Sequence, residues 1–416
     1  MTGTFRSLAV HNYRTWAAGA IISNIGTWMQ RTAQDWIVLA DLTKHNATAV
    51  GIVMGLQFGP QLLLLPVTGW AADRFNRRKT LFITQVSMGA LALLLGLDTI
   101  FGLVQLWHVY IFAFLLGCAA AFDAPARQTF VSELVHEGHL SNAVALNSTS
   151  FNAARMIGPA IAGVLIAGIG AGWVFLLNAL SFAAVLFSLS RLRLHELHVR
   201  ERAPQGAGGL VAGFRYVLKR PDLLAVFFML ALIGAFAINF PIFISTMAVT
   251  VFHAGAGQFG LLSSMMAIGS VGGALLAARR ENPSTSVIVI GAAAMGLGLA
   301  LAALAPAYLW FGLTLTFVGF SAQTVTTTTI GKVQLSTEPF MRGRVMAIVM
   351  AIVLGTTPIG APIVGWVADA FGPRWALAVG ALACLLAAAI GVTYQLRRRH
   401  DASLAAAPIE PAPAAH

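Results

Sequence analysis

"IGPAIAGVLIAGIGAGW", residues 157–173, falls on "IGAPIVGWVADAFGPRW", residues 359–375, when the second half of the chain is slid back by 202 positions. Ile157 meets Ile359, Gly158 meets Gly360, Ile161 meets Ile363, Gly163 meets Gly365, Gly170 meets Gly372 and Trp173 meets Trp375. Self-similarity at a fixed offset marks a repeated architecture. The repeated unit is apolar almost throughout, so its surroundings decide what kind of architecture this is.

Those surroundings are lipid. Of 416 residues, 58% are hydrophobic and 10% charged, with a mean hydropathy of +0.79, whereas a soluble domain carries about 25% charged residues. A bilayer core about 30 Å thick takes roughly 20 mainly apolar residues per helix, and only helices or closed barrels satisfy their own backbone there. Alternating ten-residue strands are absent, so the fold expected is an all-α membrane protein. Twelve spans are read, near 16–39, 50–72, 81–100, 107–130, 143–168, 173–189, 223–249, 259–278, 287–304, 310–330, 345–370 and 375–394. With the repeat, these give two pseudo-symmetric six-helix bundles, residues 1–190 and 223–397. A cytoplasmic linker, 191–222, joins them, and a disordered cytoplasmic tail, 398–416, follows. Parallel halves of this kind are a transporter architecture. The linker holds "LVAGFRYVLKRPD", an amphipathic helix candidate for the membrane face.

Loop charges orient the chain. Alternate loops and both termini carry Arg6, Arg14, Arg74, Arg77, Arg78, Lys79 and the run on to Arg397, Arg398 and Arg399, against only Lys44 and Arg374 in the other set. Both termini are therefore expected in the cytoplasm. The net charge of +11 follows from this topology and from contact with anionic lipid. The basic residues are spread over many loops instead of forming the stripe of a nucleic-acid surface, so no nucleic acid is expected. No cleavable signal is read, because Arg14 leads into a full-length span. Cys118 and Cys384 are isolated within spans and offer neither a disulfide framework nor a metal spacing. "TIGKVQ" around Gly331 lacks the pattern of a phosphate loop, and no G-x-S-x-G or H-E-x-x-H occurs. The chain is not read as an enzyme.

Charges inside spans are the strongest functional signal. In the first span Ser23, Asn24, Thr27, Gln30, Arg31, Gln34 and Asp35 recur at helical spacing and form one polar stripe. An arginine turned to lipid at the bilayer centre costs about 2.5 to 3.5 kcal/mol on the insertion scale, so such residues face a cavity or a partner. Arg31 and Asp35 stand four apart and can pair. Three readings of the two stay open: a structural ion pair, an arginine that receives substrate, or an aspartate that carries the coupling proton. Arg155 is the second intramembrane arginine, and Gln323 with the threonines after it makes the tenth span partly polar. Asn239 and Pro241 mark a bend in the seventh. Trp16, Trp28, Trp36, Phe58, Phe236, Phe240 and Phe243 are either lipid-facing packing or the lining of an apolar pocket.

"GWAADRFNRRKT", residues 69–80, resembles the loop signature of the major facilitator superfamily. Together with "NYRTWAAGAIISNIGTWMQRTAQDWIVLA", "RQTFVSELV", "NSTSFNAARMIGPAIAG" and "RGRVMAIVMAIVLGTTPIGAPIVG", it resembles the superfamily's bacterial drug and siderophore exporters, the enterobactin-exporter-like, transmembrane-secretion-effector branch. The resemblance implies a conformational latch at Gly69, Asp73, Arg74, Arg77 and Arg78, with Asp73 meeting the start of helix eleven and Arg77 pairing with Asp123. Asn76 replaces a glycine of the signature, and the copy expected between helices eight and nine has decayed to "GGALLAARRENPS". Gly158, Pro159 and Gly163 resemble an antiporter signature whose direct role is close helix packing.

The function expected is proton-driven export of drugs or siderophore-like metabolites by alternating access. Transport would use no cofactor beyond the gradient, and the protein would be a monomer in the bacterial inner membrane. Its substrate and coupling residues would be Arg31, Asp35, Gln30, Gln34, Arg155, Asn239 and Gln323. The alternatives are import of a small polar solute on the same fold and a non-transporting membrane receptor or partner subunit.

Overall fold

The computed structural model describes residues 5–198, 209–278, 283–338 and 340–405, and the described residues are helical with no strand. The first half runs α1 His11–Ile37, α2 Ala47–Leu63, α3 Leu65–Arg74, α4 Arg77–Ile100, α5 Leu106–Phe130, α6 Glu137–Ile169 and α7 Ala171–Ser190. The second runs α8 Gly209–Leu218, α9 Pro221–Leu232, α10 Phe240–Thr246, α11 Ala256–Ala278, α12 Thr285–Ala303, α13 Tyr308–Ser336, α14 Arg342–Gly355, α15 Thr357–Phe371 and α16 Pro373–Ala405.

Local chemistry sets the ends and breaks. Asn46 and Asn76 cap α2 and α4, accepting from the amides of Ala49 and Lys79 at 2.8 and 3.1 Å, which satisfies a donor the first turn leaves open. Gly170 and Gly372, partners in the repeat, close α6 and α15 at φ +88° and +102°, a backbone that favours glycine. Proline breaks the rest. α2 and α3 meet at a 54° bend, with Pro60 inside α2 and Pro66 in the first turn of α3. A π-helical turn over Ile233–Ala237 ends the helix begun by α9, and α10 restarts after Asn239 with Pro241 in its first turn.

Nine helical spans of the described part are long and apolar enough to cross a membrane, or ten with α2 and α3 taken as one bent span. α1 and α13 have the length but lie outside that set; they hold the polar stripe and the threonine run. Large apolar side chains such as Leu94, Phe101, Leu180, Phe187, Ile268 and Ile290 stand on the surface, as a lipid-facing belt requires. The chain is an all-α, multi-pass membrane protein.

Within the first half α1 packs on α6 and α7, α4 on α5 and α7, and α2 on α5; within the second, α11 and α12 pack on α13, and α16 on α9 and α12. Two long helix pairs join the halves, α2 with α15 and α6 with α11. Gly163 lies against the backbone of Gly260 at one of them and Gly365 against the carbonyl of Ala47 at the other, so that even a methyl group would collide with the partner helix. The repeat's paired glycines thus do equivalent work, each seating its helix on the opposite half.

Two helices add detail to the sequence reading. The linker helix α8 is docked on α14, with Gly213 against Arg344 and Ile348, in place of resting on the membrane face alone. The last helix runs to Ala405, past the boundary expected at 397, because the arginines, alanines and leucine there are good helix formers. The linker stretch 199–208, the decayed loop around Arg279 and Arg280, and the tail 406–416 lie outside the described residues.

Candidate functional site

The stripe on α1 faces protein. Ser23, Asn24, Gln30, Gln34 and Asp35 are all buried, Asp35 at 4% exposure. Its amides reach the neighbouring helices: Asn178 Nδ2 on α7 donates to Gln30 Oε1 at 2.5 Å, and Gln57 Nε2 on α2 donates to Gln34 Oε1 at 3.4 Å. Gln30 Nε2, Gln34 Nε2 and Asp35 Oδ1 are buried with no hydrogen-bond partner. A cavity of about 20 Å³ lies among Thr27, Gln30, Arg31, Gln34, Gln57 and Asn178, room for one water-sized group.

Arg31 and Asp35 do not form the ion pair their spacing permits. The Arg31 guanidinium instead stands over two rings, 5.0 Å from the centroid of Trp28 and 4.5 Å from that of Phe58. Cation–π contacts of this kind contribute about 0.5 to 2 kcal/mol. A cation clamped by aromatic faces keeps its hydrogen-bonding edge available.

Arg155 and Gln323 are brought together across the two halves, Arg155 on α6 donating to Gln323 Oε1 on α13 at 3.5 Å while Gln323 Nε2 donates to Thr327 at 3.2 Å. Asn239 is buried but its Nδ2 donates to Ala235 O at 2.6 Å, one turn back. It serves the helix break. The aromatic residues do not gather into one pocket: Trp16 packs on Phe130, Trp36 on Phe259, Trp28 on Phe151 and beside Arg31, and Phe243 is in the core. A wider cavity, about 620 Å³, opens among Arg220, Asp222, Lys332 and Arg398. There the hydrogen bonds to Asp222 raise the Arg220 guanidinium above its ordinary range.

The partner of Arg77 is not the one the resemblance implies. Arg77 pairs with Glu133 at 2.6 Å, not with Asp123. Asp123 is held by Arg127 at 2.9 Å, Thr84 at 2.8 Å and Gln85 at 2.7 Å. Thr84 and Gln85 lie two turns further along α4 than Arg77, roughly 11 Å at 1.5 Å per residue, so Asp123 sits at the wrong depth for it. Arg127 also reaches Asn24 at 3.2 Å and lies over Trp16. Sequence reasoning assigned no role to Glu133, Arg127, Thr84 or Gln85; the i, i+4 spacing of Asp123 and Arg127 was the available signal. Arg78 donates to Leu189 O at 3.1 Å and Arg74 lies over Trp70. Gly69 is on α3, as is Asp73, whose side chain lies outside the described part. Gly158, followed by Pro159 within α6, seats that helix on Trp28 of α1. Among the described residues no group of three or more His, Cys, Asp or Glu is placed to hold a metal.

Comparisons with known proteins bear on the family and the fold. The family profile described as transmembrane secretion effector matches residues 2–415. The staphyloferrin A transporter of Staphylococcus aureus is 28% identical over 356 residues, covering 84% of this chain and 87% of its own. The multidrug efflux pump Tap of Mycolicibacterium fortuitum is 24% identical over 416 residues, covering 94% and 96%. Among solved structures, a POT family transporter in complex with 5-aminolevulinic acid superposes with a TM-score of 0.74 at 12% identity, covering 92% of this chain and 96% of that one.

Proposed function

The chain belongs to the transmembrane secretion effector family, as a secondary transporter of the major facilitator, alternating-access type acting on small molecules, and on that premise we propose that it is a proton-driven exporter of polar or anionic, siderophore-like metabolites or drugs. Twelve spans complete the reading: the nine apolar ones, the bent α2–α3 pair, and the two polar helices α1 and α13. They divide into six-helix bundles at 1–190 and 223–397, working as a monomer in the bacterial inner membrane with both termini in the cytoplasm.

What carries the proposal is the α1 constellation, a buried Asp35 with an unpartnered oxygen beside an Arg31 clamped between Trp28 and Phe58. Arg31 receives the anionic or polar part of the cargo, Asp35 carries the coupling proton, and Arg155 with Gln323 engages cargo from between the halves. Gln30 and Gln34 keep the stripe facing inward, and Asn239 shapes the helix opposite. Intramembrane charge of this kind is costly to maintain without a use, which supports transport over a silent receptor.

The test is accumulation of a radiolabelled catecholate siderophore and of a fluorescent cationic dye in energised inside-out vesicles. Uptake of either is expected in wild type, abolished by an uncoupler and by Asp35→Asn. Uncoupler-sensitive uptake that survives Asp35→Asn removes Asp35 from coupling; accumulation only in right-side-out vesicles would make the protein an importer.

A further inference from the structure

The ten residues "PVTGWAADRF" on α3, 66–75, recur as "PIVGWVADAF" on α15, 362–371. Proline, glycine, tryptophan, alanine, aspartate and phenylalanine keep their places, at an offset of 296 that the 202-residue repeat does not produce. The copies also fold alike. Trp70 packs on Phe75 with centroids 5.6 Å apart at 90°, and Trp366 on Phe371 at 5.8 Å and 86°. Each copy ends a long span, but the two spans run in opposite directions, so the copies stand at opposite membrane faces.

Their surroundings differ. Asp369, in the α15 copy, reaches across to the other half and accepts from the first-turn amides of α2, Ala47 N at 2.7 Å and Thr48 N at 2.8 Å, and from the Thr48 hydroxyl at 2.5 Å. A carboxylate is favoured at the positive end of a helix, and hydrogen bonds to an ionised acceptor are about twice as strong as neutral ones. Gly365, one turn back, is buried against the Ala47 carbonyl. The corresponding Gly69 of the α3 copy is exposed, with no described atom within 4 Å of where its Cβ would stand. The main neighbours of α3 are α5 and α2 of its own half. The α15 copy is engaged with the opposite half, whereas Gly69 of the α3 copy meets no described neighbour.

We propose that Asp369 is the latch of the face carrying Lys44 and Arg374, closing that face by capping α2 across the interface between halves. This rests on the two-bundle reading above. The latch is suited to release because Asp369 is solvent-exposed, so water replaces its partners when the halves rock apart. The α3 copy, with Asp73, is its counterpart at the opposite face, and the two engage in alternation.

The test is a spin-label distance measurement on the full chain in lipid nanodiscs. Labels go at Leu103→Cys and Ala307→Cys, in exposed loops of the first and second half on the latched face, in a Cys118→Ser, Cys384→Ala background. Wild type is expected to show a dominant short distance and a minor long one. Asp369→Ala, which removes all three hydrogen bonds, raises the long-to-short ratio by at least roughly tenfold, the worth of one charge-assisted hydrogen bond, and Asp73→Ala lowers it. Thr48→Val, which removes only the hydroxyl, is the milder variant and shifts the ratio the same way as Asp369→Ala by a smaller factor. An unchanged ratio in Asp369→Ala and Thr48→Val, with two distances still present in wild type, overturns the latch and leaves the two-bundle reading standing. One distance, unmoved in wild type and every variant, overturns both.

Discussion

Arg77 shows how a charged residue's partner is set by depth as well as by charge. Its guanidinium and the Glu133 carboxylate are 16% and 12% exposed, so their pairing is partly desolvated and worth more than a surface ion pair. A double-mutant cycle between Arg77→Ala and Glu133→Gln, read by thermal unfolding of the purified protein, is expected to give a coupling of about 1 kcal/mol. The same cycle with Asp123→Asn in place of Glu133→Gln should be additive. Asp123 and Arg127 are more enclosed, at 7% and 11% exposure, and removing one member of a buried pair strands the other. Asp123→Ala is therefore expected to destabilise the protein by about 3 kcal/mol, a larger loss than Arg77→Ala. Of the charged residues the sequence singled out, the burial of Asp35 follows from the α1 pattern, whereas the two rings around Arg31 do not, because Phe58 comes from another helix.

At the scale of elements, the crossing of α6 and α11 depends on two glycines in backbone contact. Gly163→Leu would force a side chain into Gly260, and overpacking of this kind costs about 1 to 3 kcal/mol or more when backbone must move. The expected outcome is lower thermal stability together with lost transport in vesicles, whereas Gly168→Leu on the same helix, where no described atom lies within 4 Å, should leave stability within about 0.5 kcal/mol. The break before α10 was legible from Asn239 and Pro241, since proline lacks the amide that the ladder needs, whereas the bend at Pro60 and Pro66 lay inside what the sequence read as one span, and Pro125 and Pro159 sit within continuous helices. Helix length at the chain's end was less legible. Charge near Arg397 read as a boundary, but charged residues continue a helix once it has left the lipid.

For the whole molecule, the two halves are held by α2 with α15 and α6 with α11, while α8 docks on α14 of its own half. These contacts are expected to hold the halves together without a continuous linker. A protease site placed within 199–208 and cleaved after purification should leave the halves co-eluting on a tag fused to one terminus, with transport retained after reconstitution; separation of the halves would contradict this. By itself the sequence determined the environment, the helical class, the repeat and the inward direction of the α1 stripe. All of these depend on composition and on spacing along one helix, which the chain writes out directly. Only the tertiary structure decided that Glu133 takes Arg77, that aromatic rings take Arg31, and that Asp369 caps α2 in the opposite half. Such pairings depend on the relative depth and rotation of separate helices, fixed when side chains from distant parts of the chain close-pack, and no spacing within a single helix encodes them.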